Sequence, residues 1–191
     1  KRERAARGLA LLEDLQALDV EIASGASTDD FRLHYAEGSR ARITDFQPLE
    51  RTIGVGDRVD LSSFGGRSSD TTLPLFNLAA PGGSGTVIGV GWTGQWAASF
   101  ARSDGGLRVR AGMEVTHLRL HAAEEIRAPA MLVLCWSGSD RMRGQNLLRQ
   151  LLLRHYTPRP GGQLADLPCA ASPHAVIGFE DTTADNMLRG I

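Results

Sequence analysis

The amino-acid sequence predicts a mainly β chain. Its larger part is an antiparallel β-sandwich, and a short helix, a linker and one further strand–helix unit follow it. Three observations lead to this prediction. Short apolar or alternating segments recur along the chain, glycine pairs separate them, and one late segment is rich in helix-forming residues. Many short strands joined by glycine-rich turns are typical of β-sandwiches.

The strand predictions depend on alternation and on turn residues. Segments 31–35 and 116–120 alternate apolar and polar residues with a period of two, which is typical of half-buried strands. Glycine-containing turns such as Gly65-Gly66 and Gly82-Gly83 interrupt the pattern. The predicted strands are 31–35, 58–61, 86–90, 107–110, 115–120 and 131–136.

The opening stretch supports two alternatives. Leu9, Leu12, Leu15 and Leu18 recur at helical spacing, whereas residues 18–22 alternate like a strand. Periodicity alone therefore predicts a helix to Leu18 and a strand after it.

The end of the chain changes character. Residues 146–155 are good helix formers without glycine, and the proline- and glycine-rich residues 157–162 end that helix. Beyond them, residues 167–171 suit a buried strand and residues 181–189 suit a helix with an acidic start. The predicted domains are a β-sandwich over 1–143, a helix and linker over 144–162, and the start of a β/α array over 163–191.

Composition excludes some classes of function. The chain has 191 residues, a net charge of −1 and 42% hydrophobic residues, which is enough for one sizeable core. The balanced charge argues against nucleic-acid binding, and no apolar run approaches the ~18 residues that cross a membrane. The charged start without methionine predicts a cut inside a longer polypeptide, and the compartment stays open.

Metal and cofactor sites are not predicted. The five histidines lack a cysteine or carboxylate at a zinc-binding spacing, and no glycine-rich turn opens a helix as a phosphate loop does. Cys135 and Cys169 lie in apolar contexts that predict small buried side chains.

The stretch 89–96 carries the first candidate ligand contacts. Trp92 and Trp96 stand four apart on a glycine-rich backbone, and such rings either cover the apolar face of a sugar or anchor a sheet. Arg67 and Asp70 lie in a glycine-flanked loop, where functional polar groups are common, although a surface turn explains them almost as well.

Several motifs together resemble a known enzyme family. They are Gly65-Gly66-Arg67, followed by Leu75-Phe76-Asn77; the turn Gly91-Trp92-Thr93-Gly94-Gln95-Trp96; and the helix start Gln145-Asn146-Leu147-Leu148-Arg149. In this order and spacing they resemble the N-terminal supersandwich-like region of α-galactosidase (melibiase) glycoside hydrolases. The resemblance favours strands throughout the opening stretch.

The resemblance implies a retaining α-glycosidase acting on an α-galactoside-type sugar, with two aspartates on later strands of a (β/α)8 barrel. Residues 163–191 would be the truncated start of that barrel, so no catalytic residue is assigned here. The expected role of the region is to brace its own C-terminal barrel, shape the active-site entrance and contribute to homo-oligomer contacts. The candidate substrate contacts are Trp92, Trp96, Arg67, Asp70 and, at the barrel start, His174. The alternatives are a carbohydrate-binding sandwich that uses the two tryptophans, or a purely structural sandwich that buries them.

Overall fold

The computed structural model describes residues 10–25, 27, 29–165 and 183–189. The chain divides into two compact units, Lys1–Leu152 and Leu153–Ile191. The first contains all the described strands, which are β1 (Ala10–Glu13), β2 (Gln16–Ala23), β3 (Phe31–Ala36), β4 (Pro48–Ile53), β5 (Arg58–Ser62), β6 (Leu75–Ala80), β7 (Ser84–Gly91), β8 (Trp96–Arg102), β9 (Gly106–Met113), β10 (His117–Leu120) and β11 (Ala130–Ser137).

The described strands form three antiparallel sheets. A five-stranded sheet has the order β11-β7-β6-β3-β4, a four-stranded sheet has the order β2-β9-β8-β5, and β1 pairs with β10 in a separate ribbon. Inward-facing side chains of the two larger sheets meet in one core. Phe76 of the five-stranded sheet packs edge to face on Trp96 and Phe100 of the four-stranded sheet, with ring centroids 5.7 and 5.3 Å apart. The predicted antiparallel β-sandwich is confirmed.

Buried and partly exposed side chains alternate along the strands, as β8 shows. On β8 every second residue is buried, beginning with Trp96 and ending with Arg102. The Arg102 guanidinium lies 5.0 Å from the Phe31 ring centroid, so this charged side chain closes one end of the core by a cation–π contact. The alternation places one face of each sheet in the core and leaves the other face for further contacts.

The opening stretch is β-structure, and the helix that periodicity predicted there is wrong. β1 and β2 are separated by a turn in which Asp14 has a φ of 49°. Leu12 pairs opposite Leu118 of β10, whereas Leu18 is buried in the sandwich core. Leu12 and Leu18, which stand at helical spacing, therefore belong to two different sheets, and the resemblance predicted their strand conformation correctly.

Helix α1 (Met142–His155) begins earlier than the predicted residue 146. The Asp140 carboxylate accepts a hydrogen bond from the Met142 N–H at 2.9 Å, which caps the first turn. The helix packs on the outer face of the five-stranded sheet, where Leu148 contacts a cluster that includes Val87 and Trp136. Gly144 permits this approach, because a Cβ atom there would lie 2.6 Å from the Trp136 ring.

Cys135 corrects a further expectation. It is exposed, because β11 is an edge strand and Cys135 points away from the helix-covered face to which Trp136 belongs. Cys169 and the strand predicted over 167–171 lie outside the described residues.

The described residues of the second unit include a 3₁₀ turn (Pro160–Gly162), within the predicted linker, and helix α2 (Ala184–Arg189), within the predicted final helix. The Thr183 hydroxyl accepts a hydrogen bond from the Asn186 N–H at 3.2 Å and caps α2. The start of a barrel and the domain boundaries at residues 143 and 162 stay predictions.

Candidate functional site

Three loops at one end of the sandwich are joined by hydrogen bonds, and we call them the loop cluster. They are residues 37–47 between β3 and β4, residues 63–74 between β5 and β6, and residues 92–95 between β7 and β8. The first two are linked because the Ser39 N–H donates to the Ser69 carbonyl at 2.7 Å. The last two are linked because the Gly66 N–H donates to the Gln95 side-chain carbonyl at 3.3 Å.

Asp70 is the buried charge at the centre of the loop cluster. Its carboxylate accepts hydrogen bonds from Arg40 Nε at 2.8 Å and from Arg67 Nη2 at 2.5 Å. Glycine at position 38 allows the close approach of the two loops, since a Cβ atom there would lie 2.2 Å from the Asp70 carbonyl oxygen. Two loops that are distant in sequence therefore meet at one carboxylate.

The electrostatics of Asp70 determine what it can do chemically. The hydrogen bond from Arg67, reinforced by that from Arg40, holds the pKa of Asp70 below its ordinary value despite the opposing effect of burial. Asp70 is therefore ionised at neutral pH and has no tendency to act as an acid. It positions Arg67, whose side chain remains 68% exposed and, among the described residues, has only its Nη2 in a side-chain hydrogen bond.

The two tryptophans have different environments. Trp96 is completely buried in the core, and its indole N–H donates to the Ser68 carbonyl at 2.7 Å. Its backbone N–H donates to the Ser63 hydroxyl at 3.1 Å. Trp92 is half-buried, and its indole lies over Gly94, where a Cβ atom would come within 3.0 Å of the indole nitrogen. Trp92 is thus the accessible ring of the pair, and Trp96 anchors the 63–74 loop.

The 37–47 loop is held in place by one aspartate. Asp45 accepts hydrogen bonds from the Ser39 hydroxyl and from the backbone N–H groups of residues 40, 41 and 42. The Ser39 hydroxyl makes the largest contribution to lowering the pKa of Asp45. This loop displays apolar side chains to solvent: Ile43 is fully exposed, and Phe46 is more than half exposed. Phe64 of the neighbouring loop is also exposed, with the Arg40 guanidinium 5.9 Å from its ring centroid.

The structure brings four of the five sequence-predicted site residues into the loop cluster. Arg67, Asp70 and Trp92 belong to the loop cluster itself, and Trp96 is joined to it by hydrogen bonds from the start of β8. The fifth, His174, lies outside the described residues. Sequence reasoning missed Arg40, Asp45 and Gln95, which hold the cluster together. The only available signal was the position of Gln95 inside the tryptophan turn.

Glu114 completes the anchoring of that turn. Its carboxylate accepts a hydrogen bond from the Gln95 side-chain amide. The same Gln95 side chain therefore links Glu114, the residue after β9, to the Gly66 backbone. Within the part of the chain that the structure describes, no three His, Cys, Asp or Glu side chains are grouped as metal ligands, and no helix is long and apolar enough to span a membrane.

No protein-family model and no curated protein matches this sequence. Solved structures with the same fold do exist. The galactosidase domain of an α-galactosidase–sucrose kinase superposes with a TM-score of 0.54 over 64% of this chain, at 18% sequence identity. An α-galactosidase from Lactobacillus brevis superposes with a TM-score of 0.57 over 73% of it, and a GH36 α-galactosidase from Geobacillus stearothermophilus with 0.52 over 63%, both at 18% identity.

The chain has the fold of the N-terminal β-sandwich region of α-galactosidases. The matched parts cover only 17–18% of each of these three proteins. At 18% identity the similarity establishes the α-galactosidase-type sandwich fold only. The chemistry of the site has to be argued from the residues of this chain.

Proposed function

We propose that this chain is the non-catalytic sandwich region of a retaining α-galactosidase-like glycoside hydrolase, where it braces the catalytic barrel and borders the entrance to the active site. The observation that carries the proposal is the similarity of about two thirds of the chain to sandwich regions of α-galactosidases. The reaction itself is assigned to the barrel, because retaining hydrolysis needs two carboxylates about 5 Å apart across the scissile bond. Asp70, the buried carboxylate of the loop cluster, is already occupied by two arginines.

Within this role, Arg67 and Trp92 are the proposed sugar contacts. Arg67 offers several N–H donors on a guanidinium whose position Asp70 fixes, and such preorganised donors bind hydroxyl oxygens without a further ordering cost. Trp92 offers an indole face of the kind that stacks on the C–H side of a sugar ring. Asp70 and Trp96 act through the residues they position.

The apolar side chains of the loop cluster are the proposed contact with the barrel or with a second copy of the enzyme. Ile43, Phe46 and Phe64 are exposed on loops that hydrogen bonds hold in place. Such rigid apolar anchors bury area on docking while losing little conformational freedom.

The decisive experiment compares Arg67→Ala with Arg119→Ala in the full-length polypeptide that contains this region. Arg119 is an exposed arginine on β10, away from the loop cluster. We expect Arg67→Ala to raise KM for an aryl α-galactoside by about tenfold, the effect of losing one charged hydrogen bond, and Arg119→Ala to leave KM unchanged. The 191-residue chain alone should release no aryl group above the buffer rate. Turnover by the isolated chain that a substitution within it abolishes would contradict the proposal.

A further inference from the structure

A row of side chains on the outer face of the five-stranded sheet has no part in the function proposed above. One row of side chains crosses this face in register: Glu50 on β4, His34 on β3, Asn77 on β6 and Val87 on β7. Helix α1 covers the apolar end of the row, where Leu148 packs in the same cluster as Val87. The polar end of the row, at β3 and β4, lies beside the edge of the helix and is not covered by it.

The edge of the helix and the adjoining part of the sheet surface border a cleft of about 350 Å³. This volume lies at the lower end of the range of roughly 300–1,000 Å³ that small-molecule sites occupy. The segment that leads into α1 is fixed at the border of the cleft, because Asn77 donates from its side-chain amide to the Arg141 carbonyl at 3.0 Å. Asn77 is itself held by the indole N–H of Trp136 on β11, which donates to its side-chain oxygen at 2.9 Å. The cleft is therefore a preformed feature of the packed sandwich.

His34 and Glu50 provide hydrogen-bond acceptors in the cleft. His34 Nδ1 lies 3.2 Å from a Glu50 carboxylate oxygen, and the His34 side chain is 12% exposed. Burial, followed by the nearby Arg141 charge, lowers the pKa of His34, while Glu50 opposes that shift. In the neutral ring the proton belongs on Nδ1, because a carboxylate can only accept, and Nε2 is consequently an acceptor.

Arg141 and Gln145 provide donors on the opposite side. Arg141 lines the cleft from the residue before α1, and Gln145 lines it from the first turn of the helix. No carboxylate among the described residues lies within ion-pair distance of Arg141, and no described hydrogen bond occupies the Gln145 side-chain amide. The cleft thus presents donors on the helix side and acceptors on the sheet side. Glu50 is the acidic group of the lining, and its carboxylate also pairs with Arg32 Nη1 at 3.5 Å.

Apolar groups complete the lining. Leu73, Leu75 and Pro48 border the cleft together with Leu148 at its helix end, and Leu75 is more than one third exposed. A ligand that fills the cleft must therefore present C–H groups on one side and groups that both donate and accept hydrogen bonds on the other.

We propose that this cleft is a non-catalytic binding site for a neutral monosaccharide. Hydroxyl groups satisfy the acceptors on His34 and Glu50 as well as the donors on Arg141 and Gln145, whereas an anion would meet the Glu50 carboxylate. The C–H edge of the sugar ring lies on the leucine and proline side chains. This site is independent of the function proposed above, since it shares only Leu73 with the loop cluster and uses neither of the proposed sugar contacts, Arg67 and Trp92.

The test is a titration of the complete chain with D-galactose, followed by ¹H–¹⁵N NMR. We expect shifts of backbone amides on β3, on β4 and at the start of α1, with a dissociation constant on the order of 1–10 mM, as is usual for a small, open site. Gln145→Leu and Arg141→Ala should each weaken binding about tenfold, because each removes hydrogen-bond donors. Gln150→Leu, on an exposed position of the same helix, is the matched control and should bind like the unaltered chain.

Four results would overturn the proposal. They are no shift at about tenfold above that concentration range, shifts confined to the loop cluster, tighter binding of D-galacturonate than of D-galactose, and unchanged affinity in folded Gln145→Leu and Arg141→Ala. The function proposed above, bordering the active-site entrance, would survive each of them, since its own test is the effect of Arg67→Ala on KM in the full-length polypeptide.

Discussion

Replacing Trp96 by alanine tests whether the tryptophan turn anchors the sandwich. Trp96 is fully buried, packs edge to face on Phe76 and donates its indole N–H to the Ser68 carbonyl. Truncating a buried tryptophan costs about 3–5 kcal/mol through lost transfer free energy and the cavity left behind. Replacing it by phenylalanine keeps a ring but loses the hydrogen bond and leaves a smaller void, so we expect about 1–3 kcal/mol.

Trp92→Ala is the matched comparison within the same turn. Trp92 is half-buried, and water can enter the space that its truncation leaves, so we expect a loss of only about 1–2 kcal/mol. The assay is urea unfolding followed by far-UV circular dichroism, because tryptophan fluorescence changes when either ring is removed. Equal m-values among the variants are the control for an unchanged unfolding transition.

For a domain of this size, a loss of 3–5 kcal/mol at Trp96 corresponds to a decrease in Tm of about 6–20 °C. The reasoning is refuted if Trp96→Ala and Trp92→Ala unfold at the same urea concentration, or if Trp92→Ala is the less stable of the two. Either result would mean that the accessible Trp92 ring contributes at least as much to the free energy of unfolding as the buried Trp96 ring.

Two further predictions concern other parts of the sandwich. Because hydrogen bonds from Arg67 and a neighbouring arginine lower the pKa of Asp70 in the folded state, Asp70 stabilises the fold above about pH 4 and loses this effect as the pH falls through the lowered pKa. Asp70→Asn should therefore unfold at lower urea than the unaltered chain at pH 7, with the difference shrinking below about pH 4; a difference that stays constant with pH would contradict the assignment. Gly144→Ala should lower the midpoint of urea unfolding, because its Cβ would meet the Trp136 ring. This is expected although alanine is favoured over glycine in a helix by about 1 kcal/mol. The control is Asn146→Ala at an exposed position of the same helix, which should leave the midpoint unchanged or raise it. A rise for Gly144→Ala would mean that the helix can move off the sheet at no cost.

The strands that were predicted are those whose short apolar or alternating segments are bounded by turn residues. β3, β7 and β11 are examples, and each was predicted to within two residues of its observed ends. β4 was missed because it is an edge strand, and most of its residues are exposed, so its hydrophobic pattern is weak. β8 was missed because alanines occupy three of its seven positions, and small residues on both faces conceal the alternation that burial reveals.

The candidate site was only partly predictable, because its contacts join residues distant in sequence. Arg67 and Asp70 are three apart, and the sequence singled out both of them. Arg40 is thirty residues from Asp70, and nothing in its local sequence indicates that a glycine at position 38 lets the two loops touch. The same limit applies to the cleft on the sheet, since the register of β3 and β4, rather than any motif, places His34 beside Glu50.

The core and the loop cluster are coupled through the hydrogen bonds of Trp96, and this coupling explains how two tryptophans in one turn can have different roles. The Trp96 indole lies in the sandwich core, yet its N–H donates to the carbonyl of Ser68, the residue that follows Arg67. Since Arg67 is itself held by Asp70, the position of its guanidinium depends on the packing of the core as well as on its ion pair. In the proposed enzyme, Trp96→Phe should therefore raise KM as Arg67→Ala does, although Trp96 never contacts the sugar. Trp92→Ala should raise KM with little loss of stability, because Trp92 would bind the substrate directly and contributes less to the core.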